Sequence, residues 1–463
     1  MLPDVRLRPL LIGALSLGVC LRVLRIPARW DEVGWLYAAY YAPTVAALRA
    51  GDWAGALGFV GLHPPLYSLL HAAIEIAWPA PIAWLLLSAA CSLGAVAWAS
   101  RTGRDPLEGA LAAWVLALGP VQIAYAAELN NYPLTALVIA AVLAGRQRAA
   151  EGRGVFLLAA AGAAACWTHG LAGWVAGLCA VSLGRRGLPA LIAMAAACAP
   201  LAPEILALVA DESTYKQPPV LLGAMLGTYC ARFGFAWLFL LPFAAGGARR
   251  RPALGIIWAA TAALIIGLQA AHIAAPHQYP YYLALGVIGA PLVAAGAAST
   301  RARWLLAAIA LIQGLGMGAL DVVGLAALRQ QPDEAMAAAL AEAGPEDAVY
   351  LVAPSWTDDD DKRLTSRPLT RVSLWRPLPA VTPYDFAYDN FRHGQPRLSG
   401  DTVIYVVDWP RREVLQAAAA HERLLVVVDE PRDDLRYTSE MAARLGVEAV
   451  SYDRQLLFVV EDP

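Results

Sequence analysis

Charge is scarce in this chain. Lys, Arg, Asp and Glu make up 16% of its 463 residues, against 59% hydrophobic residues, well below the ~25% charge of an ordinary soluble domain. No basic tract large enough for nucleic acid is present. Cysteine is equally unhelpful to a metal or disulfide reading. Cys20, Cys91, Cys166, Cys179, Cys198 and Cys230 all lie in apolar runs with no metal-ligand spacing, and they read as small buried hydrophobes. No internal repeat is evident, which argues against the related halves of many transporters. No small-x-small cleavage site follows the apolar stretch after Arg6 and Arg8, so that stretch is expected to remain as a first span.

What is present is a series of apolar runs approaching the ~20 residues that a spanning helix needs. They predict a multi-pass α-helical membrane protein with about eleven transmembrane helices. The spans are expected near 8–26, 81–100, 107–124, 132–145, 154–168, 170–184, 187–210, 220–244, 253–272, 279–298 and 304–323. The run 66–78 is too short for a span and reads as juxtamembrane or re-entrant. With the N-terminus in the cytoplasm, the even-numbered spans end at Arg101/Arg104, Arg146/Arg148/Arg153, Arg185/Arg186, Arg249/Arg250/Arg251 and Arg301/Arg303. That satisfies the positive-inside rule at every cytoplasmic loop. Arg22, Arg25, Arg29, Arg49, Lys216 and Arg232 are left for the other side.

The charge divides along the chain. Residues 1–330 hold 21 Lys/Arg and 13 Asp/Glu, whereas residues 331–463 hold 14 and 24. The spacing predicts a transmembrane domain over 1–325, whose long outer loop 27–80 carries interfacial helices with Trp35, Tyr40 and Tyr41 at the headgroup level. A small extracytoplasmic α/β domain is expected over 331–463. Its strands fall at 347–353, 402–408, 423–429 and 455–460, with helical patterns at 333–343, 411–421 and 437–445. Asp358–Asp361 reads as a solvated loop.

The chemically capable residues collect on the side opposite the arginine loops. Asp31 and Glu32 follow the first span directly, and adjacent carboxylates at an interface repel each other, so that partial desolvation is expected to raise at least one pKa, although Asp31 also suits a helix N-cap. His63-Pro64-Pro65-Leu66-Tyr67 closes the same loop, its prolines fixing an extended turn or simply starting a helix. Glu128, Asn130 and Tyr132 follow Pro120 and Tyr125 on the second outer loop, where an ordinary polar turn is the plain alternative. His169, His277 and Tyr279 are further outer groups, each alone as consistent with structure as with catalysis. Glu204 and Arg232, near the outer ends of spans, could pair. Taken together, a carboxylate with histidines, tyrosines and few cations around one rim suits a reaction at the bilayer surface.

At this point the residues resemble a family. The Asp31-Glu32 pair after span one, then HPPLY at 63–67, then Pro120, Tyr125, Glu128 and Tyr132, then Tyr279-Pro280 before a late span, is similar to the GT-C membrane glycosyltransferases. The nearest type is that of the protein O-mannosyltransferases and aminoarabinose transferases, over roughly residues 8–300. The resemblance implies transfer of one sugar from a polyprenyl-phosphate donor to a lipid, glycan or protein acceptor outside the cytoplasm. It implies inversion at the sugar carbon, and a bacterial plasma (inner) membrane location. Asp31 would be the base, with Glu32 beside it. His63, Tyr67, Glu128, Asn130, Tyr132, His169, Lys216, Arg232, His277 and Tyr279 would line the substrate site.

The chain departs from the family where the phosphate is held. Arg is usual where Asn130 and Gln278 stand. Lys216, Arg232, His63, His169 and His277 remain as candidates, or a divalent metal held by Glu128 and a histidine. Apart from such a metal, no cofactor is expected. The partners are the donor lipid, the acceptor and membrane lipids. A lipid-linked glycan polymerase or ligase, and a transporter or flippase, are the alternative readings.

Overall fold

The computed structural model describes residues 3–28, 41–59, 63–127, 129–210, 239–270 and 279–318. Beyond them it describes 338–339, 341–344, 347–352, 397–399, 402–407, 423–429, 450–452 and 455–461. The chain divides into two compact units, a helical one of Met1–Ala28, Thr44–Ala77 and Ile82–Ala326, and one of Arg29–Pro43, Trp78–Pro81 and Ala327–Pro463 that holds the C-terminal sheet.

Proline punctuates the helical unit. The described helices are α1 (Pro3–Ala28), α2 (Ala42–Arg49), α3 (Trp53–Ala56), α4 (Leu66–Ala77), α5 (Pro81–Ala99), α6 (Pro106–Ala117), α7 (Pro120–Ala124) and α8 (Tyr132–Ala150). They continue with α9 (Val155–Cys166), α10 (Gly170–Val181), α11 (Leu188–Cys198), α12 (Ala202–Ala210), α13 (Leu241–Arg250), α14 (Pro252–Ala270), α15 (Tyr279–Gly296) and α16 (Thr300–Gln313). Pro81, Pro106, Pro120, Pro133, Pro189 and Pro252 all stand in the first two positions of their helices. Their missing N–H costs nothing there, and their fixed φ favours the first turn. Asp105 and Ser299 cap α6 and α16 by accepting backbone N–H bonds.

Ile82–Ala99 and Gly184–Leu206 are long and apolar enough to cross a membrane by length and composition alone. Leu11–Leu24, Val155–Cys166, Gly170–Val181, Pro252–Leu268 and Leu283–Gly296 are shorter apolar helices. Phe156, Ile192, Leu206, Ile256 and Ile312 are each more than half exposed, which a helical bundle tolerates when lipid surrounds it. Inside, Leu11 and Ala14 of α1 pack with Leu111, Trp114, Val293, Leu306 and Ala310 from α6, α15 and α16.

Two expected spans are broken. The run 107–124 ends its first helix at Ala117 and restarts at Pro120, because Pro120 cannot donate to the carbonyl of Leu116. The run 187–210 passes through a 3-10 turn, Ala199–Leu201, which contains Pro200. Arg249 and Arg250, expected in a loop, form the last turn of α13, where cations complement the helix dipole.

One end of the bundle is knitted together by the arginine loops. Arg251 is 6% exposed. It donates to the carbonyl of Thr102 (2.8 Å), to Glu108 Oε1 (2.9 Å) and to Gln147 Oε1. Arg104 reaches the carbonyl of Arg250 (2.9 Å), Arg146 reaches Ser182 Oγ (2.8 Å), and Arg186 reaches the carbonyl of Ala150 (3.1 Å). The loops after α5, α8, α10 and α13 thus meet at the same end.

Arg22, counted in the sequence among the outer-side charges, is fully buried within the bundle. Its guanidinium donates to the carbonyls of Gly18 (3.0 Å), Leu116 (3.1 Å) and Ala117 and to Ser92 Oγ (2.9 Å). The two α6 carbonyls lie at the helix C-terminus, where the dipole is negative; that of Leu116 also accepts from the Gly119 N–H at 3.4 Å, whereas the break before Pro120 leaves that of Ala117 to the arginine. Close approach of α1 to α6 depends on Gly18, since a Cβ there would lie 2.9 Å from the carbonyl oxygen of Ala117.

The C-terminal unit contains a six-stranded sheet in the order β2-β3-β1-β4-β6-β5. The strands are β1 (Ala348–Val352), β2 (Arg397–Ser399), β3 (Thr402–Val407), β4 (Arg423–Asp429), β5 (Val450–Tyr452) and β6 (Gln455–Glu461). β1 runs parallel to both β3 and β4, whereas β2 and β6 pair antiparallel with their neighbours β3 and β4. Leu424 and Leu425 point to opposite faces of β4 yet are 1% and 0% exposed, so both faces are covered, as parallel pairing requires. Arg423 holds the start of β4 to Asp347 Oδ2 (2.8 Å) and to the carbonyl of Glu342 (2.8 Å). The expected helices at 411–421 and 437–445 lie outside the described residues, as does the Asp358–Asp361 loop.

Candidate active site

At the end of α8 and α10 away from the arginine loops, the described outer-loop residues come together. α8 begins at Tyr132 and ends near Arg148. α10 begins at Gly170 and ends beside Ser182, the partner of Arg146. The 19 residues of α8 separate the two ends by about 28 Å.

His63 lies at the centre. Its ring stands 5.6 Å from the ring of His169 and 6.2 Å, edge to face, from Tyr132. Tyr132 in turn packs edge to face on Tyr125 at 5.8 Å. The supporting backbone is closely tied. The Leu66 N–H, a helix-start donor, bonds the carbonyl of Trp167 at 2.9 Å. Asn131 Nδ2 bonds the carbonyl of Thr168 at 2.9 Å. Asn130 Oδ1 accepts from the Tyr132 N–H at 2.8 Å, and Trp167 Nε1 reaches the carbonyl of Ala197 at 2.7 Å. The carbonyls just past the end of α9 are thus paired with a backbone donor at the start of α4 and a side-chain amide at the start of α8.

The protonation states follow from these contacts. His169 caps α10, its Nδ1 accepting from the Leu171 N–H at 3.1 Å. The neutral ring must therefore carry its proton on Nε2. Burial first, and the neighbouring His63 second, push its pKa down to about 3. Burial pushes His63 down to about 4. Both are neutral imidazoles at physiological pH, able to donate and accept without charge. His63 Nδ1 and Asn131 Oδ1 are buried and have no hydrogen-bond partner among the described residues.

Not every expected site residue joins this cluster. Tyr67 is buried and its hydroxyl bonds Ser88 Oγ at 2.6 Å, tying α4 to α5. Tyr279 begins α15. Glu204 is exposed on α12. Asp31, Glu32, Glu128, Lys216, Arg232 and His277 lie outside the described residues, and so does the expected Glu204–Arg232 pair. No group of three metal-ligating side chains occurs among the described residues. Asn131 and Thr168 are the participants that sequence reasoning missed. Their neighbours Tyr132 and His169 were the available signal.

Deeper in the bundle, a cavity of about 110 Å³ lies beside the α6–α7 break, lined by Leu116, Pro120, Leu241, Trp258, Leu285 and Val293 among others. Its lining has no ionisable group. Gln122, Gln313 and Trp258 are its polar side chains; Gln122 donates to the carbonyl of Leu283 (2.9 Å) and Trp258 to that of Leu285 (3.2 Å). The rest of the wall is apolar.

The helical bundle thus carries the His63 cluster at one end and the arginine loops at the other. Its solved counterparts include ArnT from Cupriavidus metallidurans bound to undecaprenyl phosphate. That structure is 15% identical, with a TM-score of 0.57 over 97% of each chain. The apo form of the same protein is 16% identical, with a TM-score of 0.55 over 97% of this chain and 98% of that one. The likeness bears out the GT-C type of fold expected from the motif order. No family model and no curated protein matches the chain.

Proposed function

We propose that the protein is a glycosyltransferase that moves a single sugar from a polyprenyl-phosphate donor to an acceptor at the extracytoplasmic face of a bacterial plasma membrane. The observation that carries this reading is the neutral, hydrogen-bonding cluster of His63, His169, Tyr132 and Asn131 at the end of the bundle opposite the arginine loops. It occurs in a fold shared with a protein solved with undecaprenyl phosphate. The positive-inside rule makes the arginine end cytoplasmic and the cluster end external.

The chemistry needs few groups. Asp31 takes the proton from the acceptor hydroxyl as that oxygen bonds to the anomeric carbon from the side opposite the phosphate. The bond between that carbon and the phosphate oxygen breaks, and its electron pair leaves with the phosphate. The products are the glycosylated acceptor, with inverted configuration, and the polyprenyl phosphate, whose charge must be met by the protein. Glu32 stands beside the base, and the residues around His63 hold the sugar. Lys216, Arg232, His277 or a divalent metal bound through Glu128 could add charge to the same rim. The apolar cavity under the α6–α7 break receives part of the prenyl chain.

The test is sugar transfer in membranes that carry Asp31→Asn at normal expression. Loss of a general base lowers the rate by about 10²–10⁴-fold. Undiminished transfer removes Asp31 from the mechanism.

A further inference from the structure

Two cysteines meet at the end of the bundle opposite the arginine loops. They close α9 and α11, whose register is fixed at two levels. A Cβ built on Gly162 would lie 2.6 Å from Met194 Sδ, so those two helix faces touch. One turn on, Trp167 Nε1 donates to the carbonyl of Ala197 at 2.7 Å. The residue numbers rise together along both helices, which therefore run parallel. Residues four apart share a helix face, so the Gly162–Met194 contact is followed by Cys166 facing Cys198. There the Cys166 thiol is in hydrogen-bonding contact with that of Cys198. Its Sγ also rests 3.5 Å from the place of a Cβ on Gly173 of α10.

The other described cysteines are placed differently. Cys91 and Cys179 are buried, and Cys20 is exposed. Cys166 and Cys198 are free thiols of intermediate exposure, and each is the last residue of its helix. Closing from thiol contact to an S–S bond of about 2.0 Å therefore falls on side-chain rotation and on the turns that follow, not on helix interiors. A cysteine used only for packing behaves as a small hydrophobe and is buried, as Cys91 and Cys179 are. Two half-exposed thiols in contact, at an end that faces an oxidising compartment, have the placement of a disulfide.

We propose that Cys166 and Cys198 form a disulfide that ties the ends of α9 and α11 together on the extracytoplasmic side. This rests on the orientation proposed above and not on the transfer reaction. The chemistry is thiol–disulfide exchange with an external disulfide oxidant. One thiolate attacks the oxidant's disulfide and releases a thiol, and the second thiolate displaces the other half from the mixed disulfide. The cysteine pair loses two electrons and two protons, and the oxidant's S–S bond becomes two thiols. The new bond closes the segment from α9 to α11 beside the Trp167–Thr168–His169 turn. The carbonyls of that turn receive the Leu66 N–H and Asn131 Nδ2, so the disulfide braces the backbone on which His63 and His169 stand.

The experiment takes the full chain in cell membranes quenched with acid. Free thiols are blocked with a maleimide under denaturing conditions, the sample is reduced, and the released thiols take an isotopically heavier maleimide. Mass spectrometry then reads each cysteine. The expected result is the heavier label on Cys166 and Cys198, the first label on Cys91 and Cys179, and a peptide pair joined through Cys166 and Cys198 in an unreduced digest. In nanodiscs, reductant should lower the melting temperature by several degrees, and Cys166→Ala combined with Cys198→Ala should abolish that response. The first label on both Cys166 and Cys198 overturns the disulfide. Heavier label without the joined peptides overturns it too, because each thiol is then capped separately. A melting temperature indifferent to reductant, with the pair joined, contradicts the brace. Sugar transfer enters none of these readouts. Failure here leaves the transferase reading standing, and loss of transfer in a chain that carries the joined pair fells that reading alone.

Discussion

Two histidines show how burial, the main cause in both, sets a residue's chemistry. His63 and His169 titrate at about 4 and about 3 in the fold, against about 6.5 when exposed. Between those values the unfolded chain binds more protons than the folded one, so stability falls as pH drops from 6.5 towards 4. The melting temperature should be flat above pH 7 and decline by several degrees between pH 6.5 and 4.5. His63→Gln should flatten that decline, and an unaltered slope would show that the ring is not buried neutral. Legibility at this scale was uneven. His63, His169 and Tyr132 stood out because ionisable and aromatic groups at the ends of apolar runs are uncommon. Their mutual contact was not legible, because it arises from three loops separated by tens of residues. Arg22 was counted among the outer-side charges, and its burial was not legible. Its role depends on a helix break 94 residues away, at Leu116 and Ala117.

The elements explain why that arginine is tolerated. Pro120 ends α6 early, and Arg22 supplies the donors that the next turn would have supplied. Arg22→Met should leave the carbonyl of Ala117 short of its donor, at about 1–3 kcal/mol, measurable as a lower unfolding midpoint in detergent. The Arg251–Glu108 pair poses a different case, since both partners are largely buried. Glu108 left alone by Arg251→Met should cost about 3–5 kcal/mol, whereas the double replacement with Glu108→Met should recover most of it. Equal losses in the single and double variants would contradict a buried, coupled pair. Most helix positions could be read from apolar runs bounded by Pro and Arg. The breaks at Gly119 and Pro200 could not, because hydrophobicity continues across them. In the C-terminal unit the near-continuous Val, Ile and Leu runs marked β1, β3, β4 and β6 plainly. The short strands β2 and β5 carry no such run, and the pairing order depends on crossovers that composition does not encode.

Across the described bundle, the separation of the arginine loops from the His63 cluster is the organising fact. The four arginine loops that bond one another lie at one end of helices whose other end carries His63, Tyr132 and His169. A single cysteine at Arg153, which is 82% exposed in its side chain, should react with an impermeant maleimide only from the cytoplasmic side. One at Trp53, 66% exposed, should react only from outside. The reverse pattern would invert the proposed orientation. The central claim, that this rim performs sugar transfer and not passage of a lipid or solute, is tested most directly by chemistry with purified components. The full chain in nanodiscs would be given a polyprenyl-phosphate sugar and an acceptor extract, and the lipid product followed over a single turnover. The account predicts conversion of the donor to polyprenyl phosphate with the sugar on an acceptor, lost in Asp31→Asn. Donor that remains intact with the unmodified chain, while the same chain in sealed vesicles carries it across the bilayer, would contradict it.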